Sequence, residues 1–240
     1  MNKTRRWPTL PVVVVTMIAL ILGAPSPPAW AKKRVENFSI AKVFFEYNST
    51  PNDLGVHVLL DGEHWKELRI VNPHGRTIFE VEGGGPYREL GMTELFFEGA
   101  EPNLADVPLA VLLAKFPEGD YRLIGRTVDG NPIVATAVFT HAIPAGPTNV
   151  KAVLTPPNTL VITWDAVTAP PPGFPKKAIH IVGYQVIVGS FQVTVPATTL
   201  HVTVPPEFVA SLASGPQPFE VLAIDAGGNQ TITEGSFLKP

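Results

Sequence analysis

Apolar and polar residues alternate in short runs along most of the chain, and clusters of Gly, Pro, Asn and Asp separate the runs. Such alternation sends every second side chain to one face, the period of a half-buried β-strand. The pattern predicts strands at residues 41–47 (A-K-V-F-F-E-Y), 56–61 (V-H-V-L-L-D) and 66–71 (K-E-L-R-I-V). In the third, Leu68 and Ile70 face inward. Asn72-Pro73-His74-Gly75 then makes a tight turn, with Pro fixing φ and Gly supplying a positive-φ position. It leads into a fourth strand at 77–82. A fifth strand is predicted at 93–97, and a hairpin at 119–128 and 133–141 around Asp129-Gly130-Asn131-Pro132. One helix is predicted, at 108–116, capped by Asp106, with Leu109, Leu112, Leu113 and Phe116 on one face.

A Pro-rich link at residues 143–147 (I-P-A-G-P) is predicted to hold two modules end to end with limited swing. Beyond it the pattern predicts strands at 149–154, 160–164, 181–188, 191–195, 200–204, 219–225 and 231–237. In the run 219–225, Phe219, Val221 and Ala223 share a face, Glu220 and Asp225 lie near or beyond the edges, and Gly227-Gly228-Asn229 ends the strand. A local helical turn is predicted at residues 208–214.

Composition changes this picture at the N-terminus. Lys3, Arg5 and Arg6 precede an apolar run over residues 10–24, and Ala29-Trp30-Ala31 follows. This is the layout of a secretory signal peptide at residues 1–31, with an uncleaved anchor as the alternative. The 240-residue chain holds 18 Lys+Arg and 21 Asp+Glu. Without residues 1–31, which carry three of the cations and no acid, its net charge is −6. That disfavours nucleic acid and anionic membrane surfaces as partners. Lys32-Lys33-Arg34 is expected as a solvated tail. The chain has no cysteine, so apolar cores alone must hold it together. Its 26 prolines and the lack of a long helical period point to all-β modules.

Two resemblances sharpen the fold. The pieces V-N-P-H-G-R-T-I (residues 71–78) and F-P-E-G-D-Y-R-L (116–123) resemble immunoglobulin-like modules of bacterial exported proteins. Pro147, Thr163-Trp164, Gly183-Tyr184-Gln185-Val186 and Val221-x-Ala223-x-Asp225-x-x-Gly228-Asn229 resemble a fibronectin type III domain over residues 147–240. The tyrosine that such a domain places at its sandwich corner is here Gln217, which puts the corner hydrogen bond in doubt. The resemblances imply an all-β chain of two tandem β-sandwiches, immunoglobulin-like at 32–142 and fibronectin type III at 143–240, after the signal peptide. They imply a spacer, adhesion or partner-binding role and no catalysis. No Arg-Gly-Asp tripeptide is present.

Candidate chemistry is sparse. His57, His64, His74, His141, His180 and His201 show no metal-ligand spacing, and each is expected as a half-exposed strand or loop residue. There is no G-x-S-x-G, and Gly83-Gly84-Gly85 lacks the Lys-Ser/Thr of a phosphate cradle. Asn48, Asn52, Asp53 and Asp61 supply oxygens near one loop, so a calcium site competes there with ordinary turn formation. Trp65 and Tyr87 are the candidate ligand contacts, as an aromatic platform, with burial of Trp65 as the competing reading.

The expected protein is therefore an exported, non-enzymatic binding or spacer protein, periplasmic or secreted, without cofactor. Its partner is a protein of the cell envelope or exterior. The alternative is an accessory carbohydrate-binding protein, with a polysaccharide on Trp65 and Tyr87. No nucleic acid and no membrane span after signal cleavage are expected.

Overall fold

The computed structural model describes residues 34–240; the signal-peptide reading of residues 1–31 lies outside them. β structure dominates. In chain order the first half contains β1 (Glu36–Asn37), β2 (Ile40–Asn48), β3 (Asp53–Val71), β4 (Thr77–Glu82), α1 (Pro86–Leu90), β5 (Met92–Glu98), α2 (Leu109–Lys115), β6 (Gly119–Thr127) and β7 (Pro132–Phe139). The second half contains β8 (Lys151–Thr155), β9 (Thr159–Thr163), β10 (Ile181–Val188), β11 (Phe191–Pro196), β12 (His201–Val204), α3 (Pro206–Ser211), β13 (Gly215–Asp225) and β14 (Gln230–Lys239).

The strand β3 organises the first half. Two separate strands are predicted here, split at Asp61-Gly62, but the chain continues through both as one strand of 19 residues. Its first part pairs with β2 and β5, and its last part, from Trp65, pairs with β4 and β6. The register shifts between Asp61 and Trp65, and His64 there has φ of 40°. This irregularity lets one strand serve two layers, as bulges do at sheet corners. Gly62 sits at the bend because a Cβ there would meet the Phe38 ring at 2.6 Å. Between the layers lie Phe45, Leu60, Trp65, Ile70, Tyr121 and Phe139, all but sealed from solvent. The Phe45 and Phe139 rings are 4.7 Å apart.

Helix α2 covers one side of this core with Leu109, Leu112, Leu113 and Phe116, as the pattern predicts. Its predicted cap is not used. Pro108 holds the N-cap position and no side chain caps the helix. At so short a helix the packed face, more than the cap, supplies the stability.

The second half has a fibronectin type III-like fold. One sheet has the order β12-β9-β8, and the other runs β14-β13-β10-β11. Trp164, Tyr184, Val186, Phe219, Val221 and Ala223 fill the space between them. Phe219, Val221 and Ala223 face inward as predicted, but Asp225 is buried rather than peripheral. Its carboxylate accepts the His180 N–H at 2.6 Å and the Gly227 N–H at 2.8 Å, so it ties the turn after β13 to the start of β10.

Residues 143–147 do not act as a link between modules placed end to end. Ile143 is fully buried in the first core. The Pro144 carbonyl accepts the Thr231 hydroxyl at 2.5 Å, and the Ala145 N–H donates to the Ala169 carbonyl. Gln230–Ile232 of β14 pair in parallel with Glu46–Asn48 of β2, so the two halves lie side by side along one continuous sheet. Each of these strands would otherwise present unpaired N–H and C=O groups, and joining them satisfies both edges.

Both halves have a corner hydrogen bond. In the first, the buried Tyr121 donates its hydroxyl to the Pro117 carbonyl at 3.1 Å, four residues upstream. In the second, Gln217 replaces the expected tyrosine, and its amide donates to the Ala213 carbonyl at 2.9 Å, again four residues upstream. Burial pushes the Tyr121 phenol from 10.0 up to about 12. Because the folded value is raised, this contribution to stability is intact below about pH 10 and fades as the pH climbs toward 12. Tyr121→Phe should lower unfolding stability by about 1 kcal/mol at neutral pH. It should also flatten the alkaline decline, which urea denaturation across that range will measure.

Candidate functional site

The predicted aromatic platform does not assemble. Trp65 is fully buried in the first core, because β3 carries it past Gly62 into the second layer; no ring face is left for a sugar. Tyr87 stands exposed on α1, with 64% of its surface accessible. The predicted calcium ligands do not converge either. Asn48 pairs with Asp53 at the turn between β2 and β3, whereas Asp61 lies eight residues further along β3, opposite Ile40. Three of them have protein partners: Asn48 Oδ1 accepts the Thr50 N–H at 3.2 Å, Asn52 Oδ1 accepts the Tyr47 hydroxyl at 2.9 Å, and Asp61 accepts from Ser39, while Asp53 Oδ1 is buried without a partner among the described residues. Asn52 adopts φ of 64°, the turn role that competed with calcium binding. Burial, and then Glu234, push the Asp53 carboxyl above its ordinary value.

A different set of residues does come together. His57 is expected half-exposed and is instead 3% accessible, although it belongs to neither core. It lies on the face of β3 turned away from the first core, with its ring 5.3 Å from Phe44 and 6.0 Å from Phe96. Its Nε2 is 3.2 Å from Glu101 Oε1 and 3.8 Å from Glu46 Oε1. One donor atom from each of the three residues lies within 4.8 Å of the others. Glu46 comes from β2, His57 from β3 and Glu101 from the loop after β5, so no spacing in the sequence marks the group.

Gly55 makes room for the group. It lies opposite Glu46, and a Cβ on it would meet Glu101 Cγ at 2.5 Å. A glycine inside a strand is the one sequence signal of such a close approach. Gln230 of β14 donates to Glu46, which brings the second half to the edge of the group. Burial first, then Glu98 and Glu46, push the Glu101 carboxyl up, against the lowering hydrogen bond from His57. Burial, Glu234 and Glu46 do the same to Glu220 on β13. Among the described residues, no Lys or Arg forms a salt bridge with Glu46, Glu98, Glu101, Glu220 or Glu234.

Asn229 holds this region in register. Its Oδ1 accepts the Phe45 N–H of β2 at 2.8 Å. Its Nδ2 donates to the carbonyls of Thr140 at 2.9 Å and Ala142 at 3.0 Å. The residue is fully buried. One amide therefore bonds the β13–β14 turn to β2 and to the segment that follows β7.

No family model matches the chain, and no curated protein does. Among solved structures, the spore cortex lytic enzyme SleM of Clostridium perfringens is 19% identical, over 40% of this chain and 28% of that one, with a TM-score of 0.32. The chain thus spans under a third of that protein's length. The FN1-FN3 domains of chicken CNTN1 are 9% identical over 86% of this chain and 67% of that one, with a TM-score of 0.37. The two-domain fibronectin type III segment of chicken tenascin is 14% identical over 84% and 98%, with a TM-score of 0.27. The fold rests on the strand order described above.

Asn229→Ala should strand the Phe45 N–H and the two carbonyls and lower stability by about 3 kcal/mol. It should also split the single urea transition into two, one for each half, as followed by tryptophan fluorescence. Glu220→Gln should raise the melting temperature at pH 7. The raised carboxyl weakens the folded state above its ordinary 4.5, so this gain should vanish as the pH falls below that value in calorimetry.

Proposed function

We propose that the chain is an exported, non-enzymatic binding or spacer protein acting by protein–protein recognition in the cell envelope or exterior. On this reading its two parts are an immunoglobulin-like sandwich over residues 32–142 and a fibronectin type III sandwich over 143–240, which the presence of two hydrophobic cores supports. The signal-peptide pattern of residues 1–31 supports export to the periplasm or beyond. Among the described residues no helix is long and apolar enough to cross a membrane.

The observation that carries the reading is the free edge at β11. The sheet that spans both halves ends there, and among the described residues β11 pairs only with β10. The tight Gly189-Ser190 turn makes Val188 and Phe191 a hydrogen-bonded pair, so by antiparallel alternation Gln192 and Thr194 turn their backbone groups to the open side. Phe191, Val193 and Val195 pack toward the second core and hold the strand flat against it. An extended segment of a partner protein could add to this edge, with main-chain hydrogen bonds for affinity and the exposed side chains for selectivity.

Gln192→Pro removes an outward N–H without disturbing the ladder to β10. The immobilised wild-type chain should retain a discrete protein from an envelope extract, and the Gln192→Pro chain should lose it with an unchanged circular dichroism spectrum. Equal retention by both chains, or retention by neither, overturns edge recognition.

A further inference from the structure

We propose that Glu46, His57 and Glu101 form a binding site for a divalent transition metal of the zinc type. The donor set is one imidazole nitrogen and two carboxylate oxygens, which suits zinc and its first-row neighbours; calcium and magnesium prefer shells of oxygen alone. A metal about 2.0–2.2 Å from each donor in tetrahedral geometry needs donors roughly 3.3–3.6 Å apart. The separations of Nε2 from the two carboxylates, 3.2 Å and 3.8 Å, bracket that range. Bound metal would therefore replace the His57–Glu101 hydrogen bond, with the Glu46 and Glu101 carboxylates, whose oxygens lie within 4.8 Å of each other, closing on it by side-chain rotation. Three protein ligands leave a coordination position for water or for a partner's side chain.

Three features outside the donor set support the site. Gly55 clears the space over β3 that Glu101 occupies, where any side chain would displace it. His57 is held between the rings of Phe44 and Phe96 and is almost wholly buried, so its imidazole is aimed before a metal arrives. The neighbouring carboxylates of Glu98, Glu220 and Glu234 add negative charge, and none of them is matched by a salt bridge to Lys or Arg among the described residues. A cation at the group would relieve this repulsion. Because Gln230 of β14 bonds Glu46, the metal would also stiffen the join between the halves. The site stands apart from the β11 edge, so either reading can fail without the other.

The test uses the untagged chain, stripped with chelator and titrated with zinc chloride. Calorimetric titration should show one zinc per chain, with a rise in melting temperature. Glu46→Gln and Glu101→Gln each remove one donor and keep the side-chain size; each should weaken zinc binding at least about tenfold. Gly55→Ala should weaken it too, by pushing Glu101 aside while all donors remain. X-ray absorption on the zinc-loaded chain should show a nitrogen and oxygen shell containing a single imidazole. Absence of saturable zinc binding overturns the proposal. So does binding that survives both glutamine substitutions undiminished, which would place zinc on other histidines. A calcium-induced melting shift as large as that of zinc overturns the choice of metal.

Discussion

The amide of Asn229 is the interaction on which the rest of the molecule depends. A buried backbone N–H and two half-buried carbonyls find their partners in this one side chain. Only a group with a donor end and an acceptor end can satisfy both kinds. Around it the parallel pairing of β14 with β2 closes two sheet edges, and the Thr231 and Ser49 hydroxyls bond backbone across the same seam. Breaking the seam would leave polar groups without water or partner, a penalty larger than the net gain of any single bond. Two halves that each need a covered edge are thereby joined in one continuous sheet.

The bend in β3 is a second constraint, and it explains why Trp65 is a core residue. A straight strand of 19 residues would leave one layer and run into solvent. The irregular stretch from Asp61 to Trp65 instead turns the strand so that its two ends face each other across the first core. Trp65 arrives at the inner side of that turn and packs there, although its Nε1 finds no hydrogen-bond partner. The same bend leaves the other face of the first part of β3 to His57 and Gly55. Layer exchange and the Glu46–His57–Glu101 group are thus two results of one strand path.

Charge is distributed unevenly over this face. Glutamates from β2, from the end of β5 and the loop after it, and from β13 and β14 gather where the halves meet, and burial raises the proton affinity of Glu101 and Glu220. Evolution of a seam for stability alone would favour apolar or paired residues here, since uncompensated buried charge weakens a fold. Among the described residues, the unpaired side of β11 and the acidic seam belong to the same continuous sheet.

Much of the fold was legible in the chain's pattern. The period of two located nearly every strand, because burial of alternate side chains is a local demand. The segment Val221–Asn229 carried the fibronectin type III-like half for the same reason: its residues serve one strand and the turn behind it. Pro117 to Tyr121 stood out as a motif, but its corner hydrogen bond became visible only in the structure. Where the pattern misled, the deciding contacts were distant. Asp61-Gly62 has the composition of a turn, and only the packing of Phe38 against Gly62 shows a bend within one strand. Residues 143–147 look like a linker, and only the pairing of β14 with β2 reveals that the halves lie side by side. The histidine–glutamate group was invisible for the same physical reason. Its residues stand 11 and 44 positions apart, brought together by strand register and by a loop crossing a glycine. Local periodicity determined which segments are strands and which side of each is apolar; long-range register and edge pairing decided which polar residues meet, because those energies exist only once the sheets have formed.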